Sequence, residues 1–399
     1  MQFRVVIAGA GVAGLETALA LRALAEDLVS VELVAPEPEF TYRPLAVAEP
    51  FRVGEVKRFP LEPLVAATGG RLRHGAIVEV DQARKSVVLA DGEQLAFDAF
   101  VIALGAQPRM AVPGALTFRG SQDSGALAEV LDELTLGKIK RVAFVVPAAV
   151  TWALPAYELA LLTAEYLSEH GARNDTEISL VTPEERPLAL FGELASDAVR
   201  ELLEIRGVRL EADAAAIAWS DGLLRLAGER RLEADAVVAL PRLIGPSLRG
   251  APHDHAGFVP VDEFGRVLDT SDLYAAGDVV QFPVKQGGIA AQQADAVAGA
   301  IAADAGAAVT PEPIRPVMRG LLLTGMAPRF LRGDIGERSS VIDTEPLWWP
   351  PGKIAGRYLT PFLAAHLGLT EHLPESAHEQ RLSVEVELGT GGRAVHPSA

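Results

Sequence analysis

The sequence predicts an α/β protein with two Rossmann-like dinucleotide-binding units, the first interrupted by the second, and a C-terminal region. Residues 4–35 give the first observation, because they read strand, glycine turn, helix, strand, which is the order of a βαβ unit with a parallel sheet. Alternating strands and helices recur over residues 121–244. An apolar strand, a Gly-Asp pair and an Ala-rich helix then follow over residues 273–303, so the first unit resumes there.

The predicted boundaries place the first unit at residues 1–120 and 245–325, the second at 121–244, and the C-terminal region at 326–399. In the first unit we expect a helix at 15–26, strands at 29–35 and 100–104, and a hairpin at 77–80 and 86–89. In the remainder, the predicted helices are 124–136, 155–169, 194–206, 289–303 and 358–367, and the predicted strands are 141–146, 177–182, 235–240 and 317–323.

Length and composition exclude several classes of protein. At 399 residues and 49% hydrophobic content the chain has room for two or three domains with real cores. It has no cysteine, which excludes disulfides, thiolate metal sites, iron–sulfur clusters, cysteine nucleophiles and dithiol relays. With 36 basic and 53 acidic residues the net charge is −17, so nucleic acid is not an expected partner.

No targeting or membrane-spanning pattern is visible. The first residues enter an apolar strand directly, without a basic stretch ahead of a longer apolar run, which predicts a cytoplasmic location. The most apolar stretch, residues 142–154, contains Pro147 and is shorter than the roughly 18 residues that a span requires.

A glycine turn marks the first candidate site. Gly9, Gly11 and Gly14 lie between a strand and a helix, where glycine lets a pyrophosphate approach the N–H groups of the helix N-terminus. A purely structural turn is the alternative. An acidic residue at the end of the second strand would bind the adenosine ribose. That strand ends at Ala35, and we favour Glu37, just beyond it, over the mid-strand Glu32.

Several motifs follow the glycine turn in a fixed order: Tyr-Arg-Pro-Leu at 42–45, Ala-Leu-Gly at 103–105, Tyr-Ala-Ala-Gly-Asp at 274–278, and the run 283–293. Together they resemble the flavoproteins with two dinucleotide folds, the pyridine nucleotide-disulfide oxidoreductase superfamily. Within it the chain looks most similar to the sulfide:quinone reductase and type II NADH dehydrogenase branch. The resemblance covers about residues 1–330.

The resemblance implies FAD as the cofactor. Gly277 would let its loop pass close to FAD, Asp278 would accept a hydrogen bond from a ribityl hydroxyl, and the helix near Gly287 would point at the flavin. The full set of expected cofactor-binding residues is Gly9, Gly11, Ala13, Gly14, Ala35, Glu37, Arg43, Val78, Ala103, Gly105, Gly277, Asp278, Lys285, Gln286 and Gly287. For Val78 and Arg43, core packing and surface exposure are the alternatives.

Residues near the predicted flavin supply the candidate catalytic groups. Lys285 would add a cation, while Gln286, Gln292 and Gln293 match the positions that shape a quinone pocket in the family, with a polar helix face as the alternative. Glu158 matches a helix carboxylate of the NADH dehydrogenase branch; the alternative is a solvent-exposed helix residue.

The second unit departs from the dinucleotide pattern. Its turn, residues 147–155, contains no glycine and ends in Pro155, which argues against binding of NAD(P)H in the usual manner. Sulfide:quinone reductases place one cysteine of a sulfur-handling pair near this turn, where this chain has Thr151. We therefore expect Thr151, Trp152 and Tyr157 to line a pocket facing the flavin. A packed turn and helix start is the alternative.

Two further segments carry weaker signals. Aromatic and apolar residues at 348–369 would lie on a membrane surface, which would place the chain on the inner face of the membrane, or pack against the flavin unit or a second subunit in a homodimer. His253, Asp254 and His255 sit in a polar loop without a third ligand in evident reach, so no metal site is expected.

The sequence thus predicts an FAD-dependent oxidoreductase that passes electrons from an unidentified small-molecule donor through the flavin to a quinone or similar acceptor, without cysteine chemistry. Two alternatives remain open at this point: an NAD(P)H-dependent flavin reductase or dehydrogenase, and a non-catalytic flavin-binding interaction module.

Overall fold

Two parallel five-stranded sheets form the centre of the structure, a computed structural model that describes residues 2–334 and 340–367. This arrangement confirms the predicted α/β class with two Rossmann-like units. The elements of residues 2–102 are β1 (Phe3–Ala8), α1 (Val12–Ala25), β2 (Val29–Ala35), β3 (Glu39–Tyr42), β4 (Lys57–Pro60), α2 (Leu61–Ala67), β5 (Arg71–His74), β6 (Ile77–Asp81), β7 (Ser86–Leu89), β8 (Gln94–Ala96) and β9 (Ala99–Ile102).

The middle of the chain builds the second sheet and its helices. Its elements are β10 (Gln107–Arg109), β11 (Leu116–Thr117), α3 (Ser124–Thr135), β12 (Arg141–Val145), α4 (Leu154–Glu169), β13 (Glu177–Val181), α5 (Glu193–Ile205), β14 (Val208–Glu211), β15 (Ala216–Ser220), β16 (Leu223–Leu226), β17 (Arg231–Glu233), β18 (Ala236–Ala239) and β19 (Arg242–Ile244).

The remainder returns to the first unit and then leaves it. Its elements are β20 (Leu273–Ala275), α6 (Gly287–Asp304), β21 (Val317–Leu322), β22 (Arg329–Asp334), β23 (Ser340–Asp343) and α7 (Leu359–His366). The strand order of the first sheet is β20-β9-β1-β2-β5, so the chain rejoins that sheet at its edge after completing the second.

The second sheet has the order β11-β18-β12-β13-β14. Strand β11 lies before residue 121, where the sequence predicted the second unit to begin, and yet it pairs with β18. The chain crosses between the units twice, and the antiparallel pair of β10 with β19 joins the two crossings.

Helix packing on the first sheet explains the alanine-rich sequence of α6. Thirteen of its residues are buried, among them Ala291, Ala294 and Ala298. It packs along α1, and small side chains let two helix backbones approach closely. In the second unit α4 is similarly enclosed, with Tyr157 and Leu161 fully buried.

Residues 317–366 differ from the prediction of one strand at 317–323, in the resumed first unit, and one helix at 358–367, in the C-terminal region. Strands β21, β22 and β23 form an antiparallel sheet that packs against the second unit through Phe191, which is 1% exposed. A Cβ atom added to Gly320 would lie 2.6 Å from the Phe191 ring, so glycine makes room for this ring. The sheet was missed because β22 carries two arginines and an aspartate among its six residues and β23 has only four residues.

We expect Phe191→Ala to lower the free energy of unfolding by about 3–5 kcal/mol, because it empties a fully enclosed site between two sheets. Chemical denaturation of the purified protein measures the change. Ile205→Ala is the control, since Ile205 is 73% exposed and its loss should change stability by less than about 0.5 kcal/mol. Equal effects of the two substitutions would contradict the assigned role of Phe191.

Candidate functional site

Three loops converge where β1, β9 and β20 end. Gly9 follows β1, and a Cβ atom there would lie 2.4 Å from the carbonyl oxygen of Ala103, the residue after β9. A Cβ atom on Gly14 would lie 1.9 Å from the oxygen of Gly9. Both positions therefore require glycine, because any side chain would force the strand, turn and helix apart.

The turn leaves the N-terminus of α1 open. Gly11 precedes the helix, no side chain caps it, and no atom lies within 4 Å of a Cβ built at Gly11. Gly277 comes from the loop after β20 and packs on α1, where its added Cβ would lie 3.0 Å from that of Ala13. Unpaired N–H groups, open space and closely packed glycines fit the pyrophosphate of a dinucleotide.

The residues expected near an adenosine lie along the same edge. Ala35 is buried at the end of β2, and its carbonyl accepts the N–H of Gly75 at 3.1 Å. Glu37 lies beyond it and is exposed, while Glu32 is paired with Arg73 at 2.5 Å. Val78 is half-buried on β6. Gly105 has a φ of +68°, which favours glycine, and faces open space.

A cavity of about 780 Å³ lies between the two units, beside this edge. Five of the expected cofactor residues line it, together with groups from the second unit and from the C-terminal region. The lining includes Arg43, Asp278, Lys285, Gln286 and Gly287 from the first unit, Thr151, Trp152 and Glu158 from the second, Leu321 from β21, and Lys353 from the C-terminal region. Its volume falls in the range of about 300–1,000 Å³ that is typical of ligand sites.

Charged groups occupy the first-unit side of the cavity. Burial raises the pKa of Asp278, and the nearby charges of Lys285 and Arg43 oppose that rise. Within residues 2–334 and 340–367 the Asp278 carboxylate accepts no hydrogen bond, so it is available to a hydroxyl group of a ligand.

Lys285 is held in place by its surroundings. Its Nζ donates a hydrogen bond to the carbonyl of Val280 and lies 3.9 Å from the centre of the Phe258 ring. Burial lowers the pKa of Lys285 to about 8, against the opposing effect of Asp278 and Asp254. The side chain therefore loses its charge around pH 8, well below the usual range of a lysine.

Glu158 and Lys353 form a buried ion pair at the cavity wall. Glu158 Oε2 lies 2.6 Å from Lys353 Nζ, and the two side chains are 0% and 7% exposed. Glu158 Oε1 accepts the N–H of Leu323 at 2.9 Å. Burial raises the pKa of Glu158, and the ammonium of Lys353 opposes that rise. The alternative of a solvent-exposed Glu158 is wrong.

No local sequence pattern points to the role of Lys353, which lies 195 residues from its partner. The lysine stands alone between Pro351 and Ile354 in an apolar, proline-rich stretch, and this isolation is the feature that could have drawn attention to it. A lone cation in such surroundings needs a partner if it is buried.

The three glutamines of α6 have different positions. Gln286 lines the cavity and caps the helix, because its Oε1 accepts the N–H of Ile289 at 2.8 Å. Gln292 instead bonds the backbone of Val317 on β21, and Gln293 Oε1 accepts the N–H of Gly277 at 2.8 Å. The structure thus brings Gln286 to the cavity but not Gln292 or Gln293, which hold neighbouring backbone in place.

The turn of the second unit faces the cavity as expected. Thr151 lines it and donates a hydrogen bond to the carbonyl of Pro283, which ties the turn to the first unit. Trp152 also lines it and packs edge-on against Phe191, with ring centres 5.9 Å apart. Tyr157 is buried behind the wall and is not a lining residue of this cavity.

The remaining candidates lie elsewhere. Leu359 and Leu363 of α7 are buried in the core of the first unit, whereas Leu367 is 46% exposed; Leu369 lies outside the described residues. In the part of the chain that the structure describes, no helix combines the length and apolar character needed to span a bilayer. Asp254 accepts the N–H groups of Ala256 and Phe258, so it shapes its own loop.

Comparison with known proteins agrees with this geometry. The family model described as pyridine nucleotide-disulphide oxidoreductase matches residues 3–298. Rubredoxin-NAD(+) reductase of Pseudomonas putida is 27% identical over 292 residues, which is 69% of this chain and 71% of that protein. Sulfide-quinone reductase of Aquifex aeolicus (strain VF5) is 29% identical over 213 residues, which is 51% of this chain and 48% of that protein.

Solved structures show the same fold. The sulfide:quinone oxidoreductase of Aquifex aeolicus superposes with a TM-score of 0.77 at 20% identity, covering 86% of this chain and 87% of the other. The putidaredoxin reductase in its covalent complex with putidaredoxin gives a TM-score of 0.61 at 19% identity, covering 83% and 81%.

A double-mutant cycle tests the ion pair. We expect Glu158→Gln alone to destabilise the protein by about 3–5 kcal/mol, since the Lys353 ammonium then stays buried without its counter-charge. Adding Lys353→Met should recover part of that loss, as measured by chemical denaturation. Asp197→Asn, at a pair with Arg186 that is 64% exposed at the aspartate, is the control with little effect. Strictly additive losses would contradict the pairing.

The lowered pKa of Lys285 predicts a pH effect. Between pH 8 and 10.5 the unfolded chain binds more protons at this lysine than the folded one, so raising the pH stabilises the folded state. From pH 7 to 9.5 we expect the free energy of unfolding of the wild type to rise by about 2 kcal/mol relative to Lys285→Met. Parallel stability curves for the two proteins would show that Lys285 is not buried.

Proposed function

Because the chain belongs to the pyridine nucleotide-disulphide oxidoreductase family, we propose that it is an FAD-dependent oxidoreductase whose electrons pass to a quinone or a similar apolar acceptor. The observation that carries the proposal is the cavity between the units, which joins the expected cofactor residues to a buried acid–base pair. Membership of the family makes the chain an oxidoreductase; the cofactor and the acceptor are the proposed part.

The residues present fit FAD. Gly9, Gly11 and Gly14 would hold the pyrophosphate at α1, Glu37 would hold the adenosine ribose, and Asp278 would accept a ribityl hydroxyl. Arg43, Lys285 and the start of α6 at Gly287 would border the flavin. Bound FAD supplies reversible two-electron chemistry that none of the twenty side chains provides alone.

The opposite wall supports an apolar acceptor. Most of its second-unit and C-terminal side is apolar, and Trp152, Leu154 and Leu321 belong to it. Reduction of a quinone to a quinol takes up two electrons and two protons. The Glu158–Lys353 pair holds one proton at Nζ beside Oε2 on this wall and would donate it, while bound reduced flavin would supply the two electrons and the other proton as hydride.

A second candidate, an NAD(P)H-dependent reductase, is favoured by the name of one relative, rubredoxin-NAD(+) reductase. The name of that relative also gives rubredoxin, a small redox protein, as the electron-transfer partner. The concave, largely apolar cavity of about 780 Å³ favours a small molecule instead. Peripheral contact with a membrane through residues 348–369 would bring the chain to lipid-soluble quinones, and co-sedimentation with lipid vesicles tests that contact.

Anaerobic stopped-flow spectroscopy tests the proposed function. Flavin of the holoprotein is reduced with dithionite, the excess is removed, and a short-chain quinone is added; flavin colour should return at a rate that saturates with quinone concentration. Glu158→Gln should slow this step on the order of 100-fold, because it removes the proton-holding pair. Asp197→Asn is the control with an unchanged rate.

Three outcomes would count against the proposal. A colourless protein that does not take up added FAD contradicts the cofactor. Reduced flavin that is not reoxidised by any added quinone contradicts the proposal that a quinone is the acceptor. An unchanged rate in a correctly folded Glu158→Gln variant contradicts the role given to the ion pair.

A further inference from the structure

The two Rossmann-like units can be aligned through one hydrogen bond that both contain. Gly9 N donates to Val34 O at 2.8 Å directly after β1, and Val146 N donates to Val181 O at 2.8 Å directly after β12. Val34 and Val181 are therefore equivalent. Three residues beyond each lies a glutamate, Glu37 in the first unit and Glu184 in the second. Glu184 thus occupies the position at which a carboxylate binds the ribose of a dinucleotide.

These equivalent glutamates have opposite surroundings. Glu37 is exposed, and its carboxylate has no hydrogen bond or ion pair with any residue in 2–334 or 340–367. Glu184 Oε2 accepts the hydroxyl of Tyr157 at 2.7 Å and that of Thr182 at 2.9 Å. Burial raises the pKa of Glu184, and the hydrogen bonds from Tyr157 and Thr182 oppose that rise.

Tyr157 reaches this carboxylate from a position that is apolar in the first unit. It is the fourth residue of α4, as Leu15 is the fourth residue of α1. Both side chains are buried, but the tyrosine extends beyond the leucine and ends in a donor. Its hydroxyl supplies to Glu184 the hydrogen bond that a ribose hydroxyl would otherwise supply.

The turn that would hold a pyrophosphate is also altered. In the first unit three residues, 9–11, separate β1 from α1, whereas eight residues, 146–153, separate β12 from α4. The longer turn contains no glycine and is tied to the first unit through Thr151. A dinucleotide would therefore lose its phosphate contacts as well as its ribose contact.

We propose that Tyr157 is a specificity-determining residue that closes the second unit to pyridine dinucleotides by occupying the ribose-binding carboxylate Glu184. Electrons then enter and leave through the cavity between the units, so the donor is a small molecule other than NAD(P)H. This last step rests on the proposed function, whereas the closure of the site does not.

Binding of ADP-ribose to the holoprotein, measured by calorimetry, tests the closure without any redox chemistry. Tyr157→Phe removes one of the two hydroxyl hydrogen bonds to Glu184 Oε2, which leaves room for a ribose hydroxyl in its place. The affinity of the variant for ADP-ribose should exceed that of the wild type by about tenfold, the factor that one hydrogen bond is worth. Tyr166→Phe is the matched control, because Tyr166 lies on the same helix and packs on Phe51 and His170. It should match the wild type.

Tyr157→Met is a second variant, which fills the core without a hydroxyl and should behave as Tyr157→Phe does; retained flavin and an unchanged melting temperature identify folded variants. Equal affinity of wild type and both variants, whether all bind or none binds, overturns the proposal. Rapid bleaching of wild-type flavin by NADH also overturns it. Neither result affects reoxidation of dithionite-reduced flavin by quinone, so failure of this inference is distinguishable from failure of the proposed function.

Discussion

Two equivalent glutamates hold one short segment, residues 353–359, across the cleft between the two units. Glu16 is the fifth residue of α1 and Glu158 the fifth residue of α4. Glu158 binds the ammonium of Lys353 at one end, and Glu16 accepts the N–H groups of Tyr358 and Leu359 at the other, at 2.8 and 2.7 Å. The segment thereby ties α1 of the first unit to α4 of the second, and its Lys353 lines the cavity.

The binding of this segment by Glu16 depends on the negative charge of the Glu16 carboxylate. Its carboxylate faces the start of α7, where backbone donors and the helix dipole favour a negative charge. Asp295 lies beside it on α6, and burial together with the charge of Glu16 raises the pKa of Asp295 well above its usual range. We infer that Asp295 carries the proton of this pair and Glu16 the charge, with Arg357 as the nearby cation. A buried like-charged pair resolves its repulsion in this way.

Sequence patterns predicted those features that depend on residues close together in the chain. The βαβ order, the glycine turn and the return of the chain at residue 273 are read from periodicity and spacing, and the structure has them. Which face of α6 meets the cavity was not readable, because that helix is buried on nearly every side and alanine gives no periodic contrast. Gln286, Gln292 and Gln293 were therefore indistinguishable in sequence. The pairing of Glu158 with Lys353 could not be predicted, because residues so far apart in the chain form no recurring spacing in the sequence.

The absence of cysteine has a structural counterpart in the second unit. The turn after β12 is fixed to Pro283 by a threonine hydroxyl, its tryptophan packs on Phe191, and the carboxylate behind it is bound by a tyrosine. Each of these three groups bonds or packs within the chain, so this part of the wall is held in place by its own residues. Among the described residues, the charged side chains that line the cavity, apart from Arg119, are Asp278, Lys285 and Arg43 on one side and the Glu158–Lys353 pair on the other. Arg119, which also lines the cavity, is neutralised by Asp123. The cavity thus combines apolar surface with one buried ion pair, which suits the uncharged, proton-consuming acceptor that we propose.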